Sequence, residues 1–145
     1  MLAVIGLACL HSCASAKKFA CPVSSGGIIQ VDIQGAEIAK PSNILSIYSL
    51  DGQVISSTSG KVYQITEKEG KFCVIVKEND RLFTYDNLST CDVRQAQQLV
   101  KGQSIGHLNK GDCLFFAVIR GGLFIDPRKQ LTCTVIAEPY KLNNP

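Results

Sequence analysis

The sequence predicts an all-β protein, an antiparallel sheet or sandwich in a single domain. Three observations point there. After Lys18 the 145-residue chain has almost no helical periodicity. Short runs rich in β-branched and aromatic residues follow one another instead. Turn residues, usually with a glycine, separate these runs at regular intervals.

The strand runs are GIIQVDI (Gly27 to Ile33), ILSIYS (Ile44 to Ser49), GQVISS (Gly52 to Ser57), KVYQITE (Lys61 to Glu67), FCVIVKE (Phe72 to Glu78), RLFTYD (Arg81 to Asp86) and CLFFAVIR (Cys113 to Arg120). The turn signals are Asp51-Gly52, Ser59-Gly60, Glu69-Gly70, Asn79-Asp80, Lys110-Gly111 and Gly121-Gly122. Glu78 to Arg81 is expected to close a hairpin. One stretch dissents. Arg94 to Val100 is rich in glutamine and alanine, so propensity alone permits a helical turn there.

Composition narrows the function classes. Hydrophobic residues make up 46% and charged residues 19%, which is globular rather than disordered. The net charge of +3 is mild, and no Lys/Arg run exceeds two residues. Nucleic acid is therefore not an expected partner. No apolar stretch reaches the length of a membrane-spanning helix.

The N-terminus reads as an export signal. MLAVIGLACL is apolar, and small residues and two lysines follow it. Ala14-Ser15-Ala16 fits a signal-peptidase site. Leu10-His11-Ser12-Cys13 fits a bacterial lipobox, which makes Cys13 the lipidation candidate and is the favoured reading. Residues 1–18 are thus read as signal and linker. The expected location is the cell envelope, with membrane contact only through a lipid anchor.

Of seven cysteines, Cys9 and Cys13 lie in that signal. Cys21, Cys73, Cys91, Cys113 and Cys133 remain, with no C-x-x-C spacing, so a zinc knuckle is not expected. An oxidising compartment permits one or two disulfides, whose pairing the spacing leaves open. Cys73 and Cys133, set in apolar runs, are read as small buried hydrophobes.

Four blocks in order resemble one family. They are DGQVI (Asp51 to Ile55), GKFCVIVKENDRLFTYDNLS (Gly70 to Ser89), VRQAQQLVKGQSIGHL (Val93 to Leu108) and CLFFAVIRGGLFIDPRKQL (Cys113 to Leu131). Together they resemble the lysostaphin/LytM-type zinc endopeptidases, which cut peptidoglycan cross-bridges. The resemblance covers residues 19–131 and leaves 132–145 as a C-terminal extension, either an edge strand or a tail. It implies a LytM-type (duplicated hybrid motif) β-fold. It also implies a turn and strand edge, not a helix, over Arg94 to Val100.

The family's chemistry needs about three protein ligands on zinc and an open position for water, whose pKa the metal lowers. The resemblance implies His and Asp ligands from an H-x-x-x-D motif and a further His from H-x-H. In this chain Asp32 matches the Asp, but Ile28 stands at the His. Asn87 replaces the His of Y-x-H-L-S. Cys113 and Phe115 replace the two histidines of H-x-H, and Ala117 replaces the Glu that follows. Tyr85 and Ala117 are the groove-lining candidates. His107, in the loop after Ile105-Gly106, matches no ligand position, and neither Asp92 nor Asp112 has an identifiable catalytic partner. No Ser–His or Cys–His nucleophile pair is indicated.

The expectation is a catalytically degenerate member that holds no metal. It is similar to murein hydrolase activators of the EnvC type and would bind peptidoglycan or a cell-wall amidase. The alternatives are an active zinc peptidase using Asp32, Cys113 and His107, and a structural lipoprotein with no wall ligand.

Overall fold

A computed structural model describes residues 18–29 and 43–136. Asp32 and Cys13, both named above, lie outside the described residues, as does Cys9. Twelve strands form among them: β1 (Gly26–Ile29), β2 (Leu45–Ser49), β3 (Gln53–Ile55), β4 (Gly60–Lys68), β5 (Lys71–Glu78), β6 (Arg81–Leu88), β7 (Thr90–Cys91), β8 (Gln98–Leu99), β9 (Ser104–His107), β10 (Cys113–Arg120), β11 (Leu123–Ile125) and β12 (Thr134–Ile136). The large sheet runs β12-β1-β2-β10-β6-β5-β4-β8, with β11 also on β10, and the small sheet runs β3-β9-β7.

Period-2 alternation selects the core. β10 turns Leu114, Phe116 and Val118 inward, β6 turns Phe83 and Tyr85, and β5 turns Val74 and Val76. The small sheet adds Val54 and Ile105, both fully buried, to the same cluster. Aromatic rings fill its centre. Phe19 meets Phe83 edge-on at 5.0 Å between centroids, and Tyr85 meets Phe116 at 5.3 Å. Both separations suit edge-to-face pairs.

The tight connections follow turn chemistry. Glu69 (φ 54°) and Gly70 (φ 75°) both occupy the left-handed region, as a two-residue turn between twisted strands requires. The hairpin expected at Glu78 to Arg81 is present, with Glu78 opposite Arg81 and Asn79 at φ 52°. Ser59-Gly60 is not a turn, because Gly60 begins β4. A side chain there would stand 2.6 Å from the Lys77 carbonyl oxygen, so glycine serves close approach rather than a bend. Arg94 to Val100 forms no helix, and the chain passes through a turn into β8. Backbone pairing to β4 outweighs helix propensity there.

Two features depart from expectation. The sheet is not wholly antiparallel. β12 lies parallel to β1, with Gly27 opposite Thr134 and Ile29 opposite Ile136, and Phe19 bridges Leu131 in parallel. Thr134–Ile136 therefore forms an edge strand. Cys133 is not a free buried thiol, since it is disulfide-bonded to Cys21. Apolar flanks gave the wrong reading because Cys133 belongs to a segment laid beside the N-terminal one, 112 residues away in sequence. Cys73, Cys91 and Cys113 are free and partly buried.

A cross-link over that separation removes much chain entropy from the unfolded state. The Cys21→Ser/Cys133→Ser variant is expected to lose about 3–5 kcal/mol of stability. Urea unfolding with and without reductant checks this: reductant should lower the wild-type midpoint and leave that of the variant in place.

Candidate functional site

The face of the large sheet opposite the core carries three of the positions singled out above, Cys113, Phe115 and Ala117. Cross-strand partners share a face. Tyr48 lies opposite both Gly27 and Cys113, and Phe115 lies between Ser46 and Asp86. The next row holds Ile75, Thr84 and Ala117. Cys113, Phe115 and Ala117 therefore stand in line on β10, as the H-x-H resemblance implies.

Ile28 does not join them. It pairs with Ile47, which pairs with Leu114, and all three are buried in the core. A ligand side chain at position 28 would face away from Cys113 and Phe115. The row that reaches Cys113 is occupied by Gly27, where a Cβ would stand 2.3 Å from the Thr134 carbonyl oxygen.

Asn87 sits at a bulge. Tyr85 pairs with Val74 and Leu88 with Phe72, so Asp86 and Asn87 together oppose Cys73. Asn87 takes φ 77°, a conformation asparagine tolerates better than most residues. Its backbone N–H donates to Asp86 Oδ1 at 2.7 Å, and its Nδ2 donates to the Cys113 carbonyl at 2.8 Å. The amide is thus a strut between β6 and β10.

Phe115 is 43% exposed and puts an apolar ring on this face. The Cys113 thiol has its pKa raised by burial and by the Asp112 charge, so the thiolate that a metal or nucleophilic role requires is disfavoured. Burial, with a smaller contribution from Asp86, pushes Cys73 up to about 11. Among the described residues no three His, Cys, Asp or Glu side chains are grouped as a metal ion needs. The described positions do not supply a zinc ligand set. His107 lies in the small sheet, where its Nδ1 is 3.6 Å from Asp92 Oδ2. Asp92 also accepts from Ser104 Oγ at 3.0 Å.

Tyr85 and Ala117 line no groove. Ala117 is 2% exposed. Tyr85 is fully buried, and its hydroxyl accepts the Ser57 backbone N–H at 2.9 Å. That bond joins β6 to the buried Ser56-Ser57-Thr58 segment, in which Ser56 Oγ donates to the Thr58 carbonyl. The Tyr that resembles the family's Y-x-H-L-S motif is therefore a structural anchor here.

No family profile matches the chain, and no curated protein matches it by sequence. Solved structures do match in shape. A chain of the SpoIIQ–SpoIIIAH pore-forming complex superposes with a TM-score of 0.63 at 18% identity, over 81% of this chain and 92% of that one. Helicobacter pylori Csd3 gives 0.61 at 20%, over 81% of this chain. Lysostaphin gives 0.52 at 21%, over 60%. The chain has the lysostaphin fold. It spans 34% of Csd3 and 41% of lysostaphin, both longer chains.

The sequence reading missed a groove farther along the same face. Lys61, Tyr63, Lys77, Asn79 and Gln95 line a depression of about 500 Å³ over β4 and β5. Alternation places Lys61, Tyr63 and Lys77 outward, and their meeting depends on the register of the β4–β5 pair.

Two predictions follow from these environments. Tyr85→Phe strands a buried N–H and should cost about 1–3 kcal/mol, read from chemical denaturation. The Cys73 thiol of the folded chain keeps its proton to about pH 11, whereas the ordinary value is 9.0. The unfolded chain therefore releases that proton first as pH rises. The thiol's contribution to stability is complete below pH 9 and is lost as pH climbs toward 11. Cys73→Ala should flatten the fall in unfolding midpoint across that window.

Proposed function

We propose that this protein is a degenerate LytM-like protein of the cell envelope, which binds peptidoglycan or a cell-wall hydrolase and does not cut peptide bonds. One observation carries the reading. On a backbone with the lysostaphin fold, β10 presents Cys113 and Phe115 where the resemblance places a histidine pair, and Ile28 points into the core. A metallopeptidase needs a Lewis acid to polarise the scissile carbonyl and to generate hydroxide. A protonated thiol, an amide already donating to a carbonyl and a phenyl ring can do neither.

The same substitutions suit a contact surface. Phe115 offers a rigid apolar ring, a residue type enriched where partners dock. Asn87 ties β6 to β10 beneath it, so the surface is pre-organised rather than mobile. The SpoIIQ–SpoIIIAH complex is a precedent for a chain of this fold assembled with a protein partner. Placement in the envelope, with Cys13 as the lipid-bearing residue, belongs to the same reading and rests on the N-terminal sequence alone.

The purified chain is expected to carry far less than one zinc per molecule by elemental analysis and to leave peptidoglycan uncleared in a zymogram. It should co-sediment with isolated sacculi or with an added cell-wall amidase, and Phe115→Asp should weaken that association at least tenfold without loss of fold. Stoichiometric zinc together with zinc-dependent clearing would establish the peptidase alternative. Absence of both binding and clearing would leave only a structural role.

A further inference from the structure

The groove over β4 and β5 is separate from the surface around Phe115. It continues along the sheet to Leu82 and Ile119, and Ile119 lies four residues beyond Phe115, about 13 Å at the rise of a strand. Its chemistry is cationic. Lys61 and Lys77 stand directly opposite one another across β4 and β5. Like charges so placed repel, whereas opposite charges attract. Nearby carboxylates do not relieve the repulsion. Asp80 is engaged by Arg120 at 2.7 Å, and Glu78, next to Lys77 on β5, falls on the opposite face of the strand. Among the described residues neither lysine makes an ion pair. Lys77 Nζ instead lies 5.8 Å from the centroid of the Tyr63 ring.

The walls of the groove are held in costly local geometry. Val62 pairs with Val76 and Gln64 with Ile75, so Tyr63 is the extra residue of a bulge. Tyr63 keeps the outward side it shares with Lys61 and is 51% exposed beside Lys77, and the bulge turns Gln64 outward after it. Gln95 Nε2 donates to the Tyr63 carbonyl at 2.5 Å, and the Ala96 N–H donates to the Val62 carbonyl at 3.0 Å. Ala96 is held at φ 65°. A left-handed non-glycine residue costs about 1–3 kcal/mol, and such residues cluster at binding sites. An unneutralised lysine pair, a bulged tyrosine, a strained alanine and a cavity large enough for a small ligand thus coincide.

We propose that this groove binds a phosphate group, free or esterified to a hydroxyl-bearing body such as a sugar. Two facing ammonium groups match a group that carries about −1.5 to −2 charge and three strong acceptor oxygens. A carboxylate, with one charge, would leave one positive charge unmatched. Lysine serves as a point-charge partner for phosphate. Tyr63 supplies a ring face for the attached body, and Asn79 offers an amide donor and acceptor to its hydroxyls.

Amide ¹H–¹⁵N spectra of the full chain, titrated at constant ionic strength with inorganic phosphate, glucose 6-phosphate and glucose, test this. Saturable shifts at Lys61, Tyr63, Lys77 and Gln95 are expected with both phosphates and not with glucose. Tighter binding of the sugar phosphate identifies an esterified ligand, and equal binding identifies the free ion. Lys61→Gln/Lys77→Gln should weaken binding at least tenfold, and each single variant at least threefold, with the remaining spectrum unchanged. Without ligand and at low salt, Lys61→Gln should raise Tm, because the repulsion is gone. Shifts that fail to saturate, or a double variant that titrates like the wild type, would overturn the proposal and mark ordinary surface attraction.

Discussion

Phe116 sits where the structure is least free to change. It lies on β10, the strand that pairs with β6 along one edge and with both β2 and β11 along the other. Its fully buried ring contacts Phe83 and Tyr85, and Phe83 in turn meets Phe19 from the N-terminal segment. Phe19 is held in place by backbone hydrogen bonds with Gln130 and Thr132, beside the disulfide that joins Cys21 to Cys133. The two ends of the described chain are therefore closed over one aromatic cluster. Tyr85 extends it to the Ser57 backbone, and the small sheet contributes Val54 and Ile105. Close packing of this kind allows one register for β10, because a slip of one residue would exchange its two faces.

That register decides what the outer face can do. With Leu114, Phe116 and Val118 inward, Cys113, Phe115 and Ala117 must face outward. The same rule applied to β1 sends Ile28 inward and leaves Gly27 outward. On the outer face β10 thus presents an apolar ring at Phe115, and β1 presents no side chain at Gly27. The bulge at Asp86-Asn87 makes Asn87 a hydrogen-bonded tie between β6 and β10. A second bulge, at Tyr63, lies beside the lysine groove at the far end of the sheet.

Much of the fold was legible in the residues. Strand runs such as FCVIVKE and CLFFAVIR carry a β-branched, aromatic alternation whose physical meaning is local, and β5, β6 and β10 fall where it places them. Glu69-Gly70 and Asn79-Asp80 mark turns because few residues accept their backbone angles. The candidate site was legible only as a set of positions. Asn87, Cys113, Phe115 and Ala117 were located by resemblance, yet their roles were not. Tyr85, expected in a groove, is a buried anchor, and Cys133, expected as a packed thiol, is a cross-link.

By itself the sequence determined the class of structure, the places of the long strands and the residues other than histidine at the expected ligand positions, since composition and period 2 act over a few neighbouring residues. Tertiary structure alone decided the parallel β1–β12 edge, the Cys21–Cys133 pair, the inward turn of Ile28 and the meeting of Lys61 with Lys77 beside Tyr63. The first two depend on pairing between segments distant in sequence, and the others on strand register. Register is settled by the packing of the whole core and by bulges that shift it one residue at a time.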